Sequence, residues 1–137
     1  ADFVADRADV HANIGDWENA ARDYRQAVQI DANLGRAYMG AAWVMATCPD
    51  GRYRDDALAV ETARKAIALD GESDWRYLDT LAAALANAGK FDEASAAIAK
   101  AIAAAPQDQS ERLAARKQLY ADSQPYRDTA RTAQATP

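Results

Sequence analysis

Gly89-Lys90-Phe91-Asp92-Glu93-Ala94, followed by Ile98 and Ala101, has a near twin earlier in the chain. The twin is Gly15-Asp16-Trp17-Glu18-Asn19-Ala20, followed by Tyr24 and Ala27. Both read Gly, polar, aromatic, two polar, Ala, then a large residue and a second Ala. Glycine can take the left-handed conformation that ends a helix. An acid just after it favours the start of the next helix, so each stretch reads as a turn between two helices. A motif that recurs within one chain points to stacked helical units.

A third copy lies between the two. Ala59, Ala66 and Leu69-Asp70 match Ala20, Ala27 and Ile30-Asp31. The spacings fit a unit of about 34 residues if extra residues are placed in loops. The larger insertion falls in Cys48-Pro49-Asp50-Gly51-Arg52-Tyr53-Arg54, where Pro and Gly mark a loop, and the smaller one in Gly71–Asp74. Helices are expected over 2–14, 17–30, 34–47, 55–69, 74–88 and 91–104, with Ser73 capping the fifth. Small Ala8, Ala42 and Ala82 let paired helices approach; Ala20, Ala59 and Ala94 do so from the partner helix. Tyr24, Ile98, Leu81 and Leu85 fill the space between, and Trp17, Phe91 and Tyr38 also fall at core positions. A seventh helix over about 108–121 is expected to cap the stack through Leu113, Leu119 and Tyr120, with Pro125 and Tyr126 folding back on it.

These residues resemble the tetratricopeptide repeat family. Repeat one supplies Val4, Ala8, Gly15, Trp17, Ala20, Tyr24 and Ala27, but has Ala32 for the family's proline and Arg7 for its leucine. Repeat two supplies Tyr38, Ala42 and Met45 before its long loop. Repeat three is the fullest match, with Leu78, Leu81, Ala82, Leu85, Gly89, Phe91, Ala94, Ile98, Ala101 and Pro106. The run Trp43 to Asp50, with Leu78 to Ala82, resembles a bacterial subtype found in large multidomain proteins. The resemblance implies an all-α superhelix, a solenoid of three helix-turn-helix repeats at about 1–34, 35–74 and 75–107. The capping helix would complete a domain over 1–121, and 122–137 would form a C-terminal tail with few anchors beyond residue 128. It also implies a protein-binding scaffold. Because Ala1 falls on the first position of a repeat, the stretch is expected to be the C-terminal part of a longer protein or an excised domain.

In this family the first helices line a concave groove. The matching positions here include Asp9 and Asn13 of repeat one, Arg36, Met39 and Trp43 of repeat two, and Arg76, Asp79 and Asn87 of repeat three. Arg36, Met39 and Trp43 share one helix face. Arg and Trp are enriched in binding hot spots, and Met adapts to varied partners. Whether Trp43 faces the groove or packs into a neighbour is open, since an indole can do both. The family's best-known ligand mode, a clamp on a C-terminal carboxylate, is not expected. Its positions hold Ala5, Asp9, Gly40, Arg76 and Thr80, of which only Arg76 fits.

Composition narrows the function further. The 137 residues are 50% hydrophobic, much of it alanine, and the net charge is −5. That charge disfavours nucleic acid or an anionic membrane surface as the main partner. No apolar run approaches the roughly 18 residues of a membrane span. Ala1 and Asp2 open directly into a helical pattern, so no signal peptide is expected within this stretch, and a cleaved one would leave no trace. The compartment is open, with a cytoplasmic setting expected over a periplasmic one. Neither GxSxG, a Gly-rich phosphate loop, HExxH nor paired CxxC occurs. One His and one Cys cannot build a zinc site, and Cys48 has no second cysteine to pair with. His11 and Cys48 are expected to pack, and Asp50, Asp55 and Asp56 to form a loop salt-bridged by Arg52 and Arg54 rather than a calcium site. No enzyme, cofactor or metal site is expected. The partner is expected to be a protein or peptide, with self-association through the first-helix end as the rival.

Overall fold

The computed structural model describes residues 1–129, all helix, turn and coil, with no strand among them. Seven helices follow in order: α1 Asp2–Asn13, α2 Trp17–Ile30, α3 Gly35–Thr47, α4 Asp56–Asp70, α5 Trp75–Asn87, α6 Phe91–Ala104 and α7 Ser110–Ala121. Short 3-10 turns stand at Gly51–Tyr53 and Gln107–Gln109. Each helix lies within one or two residues of its expected span. Tail residues 130–137 lie outside the described residues.

Gly15 and Gly89 sit at equivalent bends, with φ of 79° and 81°. A side chain is disfavoured in that left-handed region, which is why the motif opens on glycine. Asp16 caps α2 by accepting the Asn19 backbone N–H, and Asp55 caps α4 by accepting that of Leu58. The expected Ser73 cap on α5 is corrected: Asp74 holds that place and accepts the Arg76 N–H at 3.0 Å. Asp74 directly precedes the helix, which puts its carboxylate within reach of the first turn's open N–H groups; Ser73 is one residue too early.

The helices pack as pairs, α1 with α2, α3 with α4 and α5 with α6, and the first helices also pack side by side. This is the helical repeat superhelix that the motif implied. Alanine makes the close approach possible. Ala8, Ala20, Ala42, Ala59, Ala82 and Ala94 are all fully buried. Gly40 goes further, since a Cβ there would overlap the Tyr24 ring. The core is strung along the stack in two clusters. One is built on Trp17, Tyr24, Ala37 and Val44, the other on Leu78, Leu81, Leu85, Ile98, Leu113 and Tyr120. α7 packs on α6 and buries Leu113 and Tyr120.

The insertion before α4 makes the 3-10 turn, capped by Asp50. Arg52 folds back on Asp50, and Arg54 donates to the Cys48 carbonyl at 2.7 Å. Hydrogen bonding from Arg52 holds the Asp50 carboxyl down at about 2. Cys48 is buried, and burial pushes its thiol up, away from the reactive thiolate.

Candidate functional site

The paired helices leave a cleft across the first helices, with a volume of about 320 Å³. α1 contributes Asp9, Ala12 and Asn13; α3 contributes Met39, Gly40 and Trp43; α5 contributes Trp75, Arg76, Asp79 and Thr80. Arg112 and Arg116 of α7 and Tyr24 of α2 complete the lining. The lining thus combines the acid Asp9, the bases Arg76 and Arg112, and the apolar Met39, Trp43 and Trp75.

Six of the eight groove residues named from the sequence line this cleft: Asp9, Asn13, Met39, Trp43, Arg76 and Asp79. Asp9 and Asn13 are exposed. The Asp9 carboxylate accepts from the Tyr24 hydroxyl. Arg76 is exposed and folds back on Asp74 at 2.6 Å. The Arg76 hydrogen bond depresses the Asp74 carboxyl.

The other two lie off the cleft lining. Arg36 bridges α3 to α1 through Asp6 at 2.9 Å, Asp2 at 3.2 Å and Asp9 at 3.5 Å. Burial works against its charge, but these three acids outweigh it and raise its pKa. Asn87 donates to Asp56 of α4 at 2.7 Å. Both therefore tie neighbouring helices together.

Asp79 lines the cleft but is not open to solvent. It is buried and ion-paired with the equally buried Arg116. Burial pushes the Asp79 carboxyl up, and Arg116 draws it back only in part. The Arg116 guanidinium also lies 5.0 Å from the Trp43 ring and 4.5 Å from the Tyr126 ring. Such stacking over aromatic faces is attractive for a cation. Trp43 is half-buried and does both things its type allows: it lines the cleft and packs, with its ring 5.7 Å from that of Tyr126. Its indole N–H donates to Asp128 at 2.9 Å.

Sequence reasoning gave no cleft role to Arg116, Trp75, Arg112 or Asp128, and expected Tyr126 only to fold back on the seventh helix. A signal for Arg116 existed. It stands 34 residues after Ala82, at the register position that Ala8, Ala42 and Ala82 fill. A long cation where the repeat wants a small residue breaks the local rule, as functional or specially paired positions do. Asp128 carried no such signal, because its partner lies 85 residues away.

Among the described residues, no group of three or more His, Cys, Asp or Glu could hold a metal ion. His11 lies between Asp16 at 3.2 Å and Asp23 at 3.6 Å, linking α1 to α2. No helix of the described residues is long and apolar enough to cross a membrane.

Residues 76–108 match the family model described as Tetratricopeptide repeat. No curated protein matches the chain. The matched segment is the third repeat read from Gly89, and the helix pairs before it follow the same plan. Residues 76–108 thus carry a tetratricopeptide repeat, and the all-helical stack around it is built on the same helix-pair plan.

Proposed function

We propose that the chain binds an extended protein segment in the cleft between α1, α3, α5 and α7. The repeat itself marks a protein–protein interaction module, a fold that typically serves as a non-enzymatic scaffold. The observation that supports this particular cleft is its lining. Apolar Met39, Trp43 and Trp75 share it with the acid Asp9 and the bases Arg76 and Arg112. An apolar centre with a few placed charges is what a recognition site needs to gain affinity and fix orientation.

Met39 and Arg76 would meet the partner without holding up the core. The test is partner capture from native cell extract by the chain and by a Met39→Ala/Arg76→Ala variant with unchanged far-UV circular dichroism. Loss of the captured protein, by about tenfold or more, is expected for removing two anchors. Equal capture by both chains would remove the cleft from the account.

A second reading has its own support. Phe3 and Val10 of α1 are 73% and 58% exposed. At the same register positions, Ala37 and Val44 of α3, and Tyr77 and Ala84 of α5, are buried. There the second helix of the preceding repeat packs against them. On this reading α1 carries a stacking face, and the array associates with a second copy as a spacer or oligomerisation element. Light scattering separates the two: a dimer broken by Phe3→Ser/Val10→Ser favours stacking, and a monomer at all concentrations excludes self-association.

A further inference from the structure

The end of the cleft nearest the last turn of α3 is already filled by the chain itself. Past α7, the segment 124–129 is neither helix nor strand and crosses the end of α3. Its backbone is held there: the Asp128 N–H donates to the Thr47 carbonyl at 2.8 Å. The Arg127 guanidinium, a side-chain donor, adds a bond to the Ala46 carbonyl at 3.1 Å. Carbonyls in a helix's last turn lack partners within the helix, so this end of α3 offers acceptors to any extended chain laid across it.

Two side chains carry the reading of sequence. The Tyr126 ring packs against Trp43, with the Arg116 guanidinium close to both rings. The Asp128 carboxylate, on a residue only 3% exposed, accepts the Trp43 indole N–H. Arg116 is fixed from behind by Asp79, so the slot is pre-shaped. The main chain is recognised by carbonyls, the aromatic by a cation and an indole, and the acid by an indole N–H.

Resting on the reading of the cleft as a segment-binding site, we propose that this end is a subsite for an aromatic residue followed two positions later by a carboxylate. Tyr126 and Asp128 are its resident occupant, and a partner of the same pattern displaces them. Neither residue lines the open part of the cleft, where Met39, Arg76 and Arg112 lie. A partner that spans both parts makes contacts that the chain's own segment does not. That surplus lets it compete with an occupant whose attachment gives it an effective concentration in the millimolar range. The resident segment therefore sets a threshold that excludes partners matching only one half of the site.

The test uses the full chain and a synthetic peptide of residues 123–129, Ser-Gln-Pro-Tyr-Arg-Asp-Thr. The readout is the Trp43 indole N–H resonance, assigned with Trp43→Phe. In a Tyr126→Ala/Asp128→Ala chain the resonance is expected to move, and added peptide is expected to return it toward the wild-type position. The double variant should bind the peptide at least about tenfold more tightly than wild type, because its site is open. Peptides lacking the Tyr or the Asp should fail. If the double variant is misfolded, the near-isosteric Asp128→Asn chain takes its place, with the same expectation at smaller amplitude. A folded, released chain whose indole ignores the peptide overturns the proposal, and so does a dimer in which a second copy supplies the segment. If that happens while partner capture still depends on Met39 and Arg76, only this inference falls; loss of both removes the cleft itself.

Discussion

Gly40 shows how much a single hydrogen atom can decide. It sits inside α3, where glycine is a poor helix former, because Tyr24 of α2 presses against its backbone. Tyr24 is buried and pinned to Asp9, so its ring cannot swing aside. Gly40→Ala is expected to destabilise the fold by about 1–3 kcal/mol through overpacking, despite the better helix propensity of alanine. A thermal melt checks this, and an unchanged or raised midpoint would contradict the packing argument. Asp23 makes a second point at this scale. The Arg7 hydrogen bond holds its carboxyl below the ordinary 3.8. A depressed acid stabilises the fold above its unfolded value and ceases to do so as pH falls through its folded one. The Asp23 contribution to stability should therefore be level above about pH 5 and decline as pH drops below 3.8. Arg7→Ala should lower the plateau and flatten that decline. Urea midpoints at neutral and acid pH measure both effects. The Arg7–Asp23 bidentate pair was invisible in the sequence, where Arg7 registered only as a departure from the family's leucine.

The helix spans, set by local rules, were legible, and the contacts between distant elements were not. The Gly-polar-aromatic turn fixed α2 and α6 because a positive φ and a first-turn acid are local requirements. The cap of α5 was misplaced by one residue because Ser73 and Asp74 are both good caps and the choice depends on the backbone path into the helix. Of the cleft, the α1, α3 and α5 positions came from what the family resemblance implies. The part played by α7 was not, since its Arg116 acts across the stack on Asp79 and Trp43. α7 makes its own prediction. Leu113 is fully buried against α6 and anchors the cap. Leu113→Ala should cost about 2–5 kcal/mol. It should also disturb the Trp43 indole resonance, because loosening α7 moves Arg116. A stability loss with the indole unmoved would show that the cap and the cleft are uncoupled.

Across the whole molecule, alanine-rich pairs too poor in bulk to stand alone are joined into one continuous stack. The same stacking that buries the core leaves the cleft, where the first helices meet side by side. That layout puts the proposed binding surface mainly on the first helices, with α4 and α6 behind them. The most direct test is site-specific photo-crosslinking in native extract, with a photoreactive residue at Met39 in the cleft or at Arg64 on the exposed side of α4. The account predicts a discrete crosslinked partner from position 39 and none from position 64. Capture from position 64 with none from position 39 would contradict it.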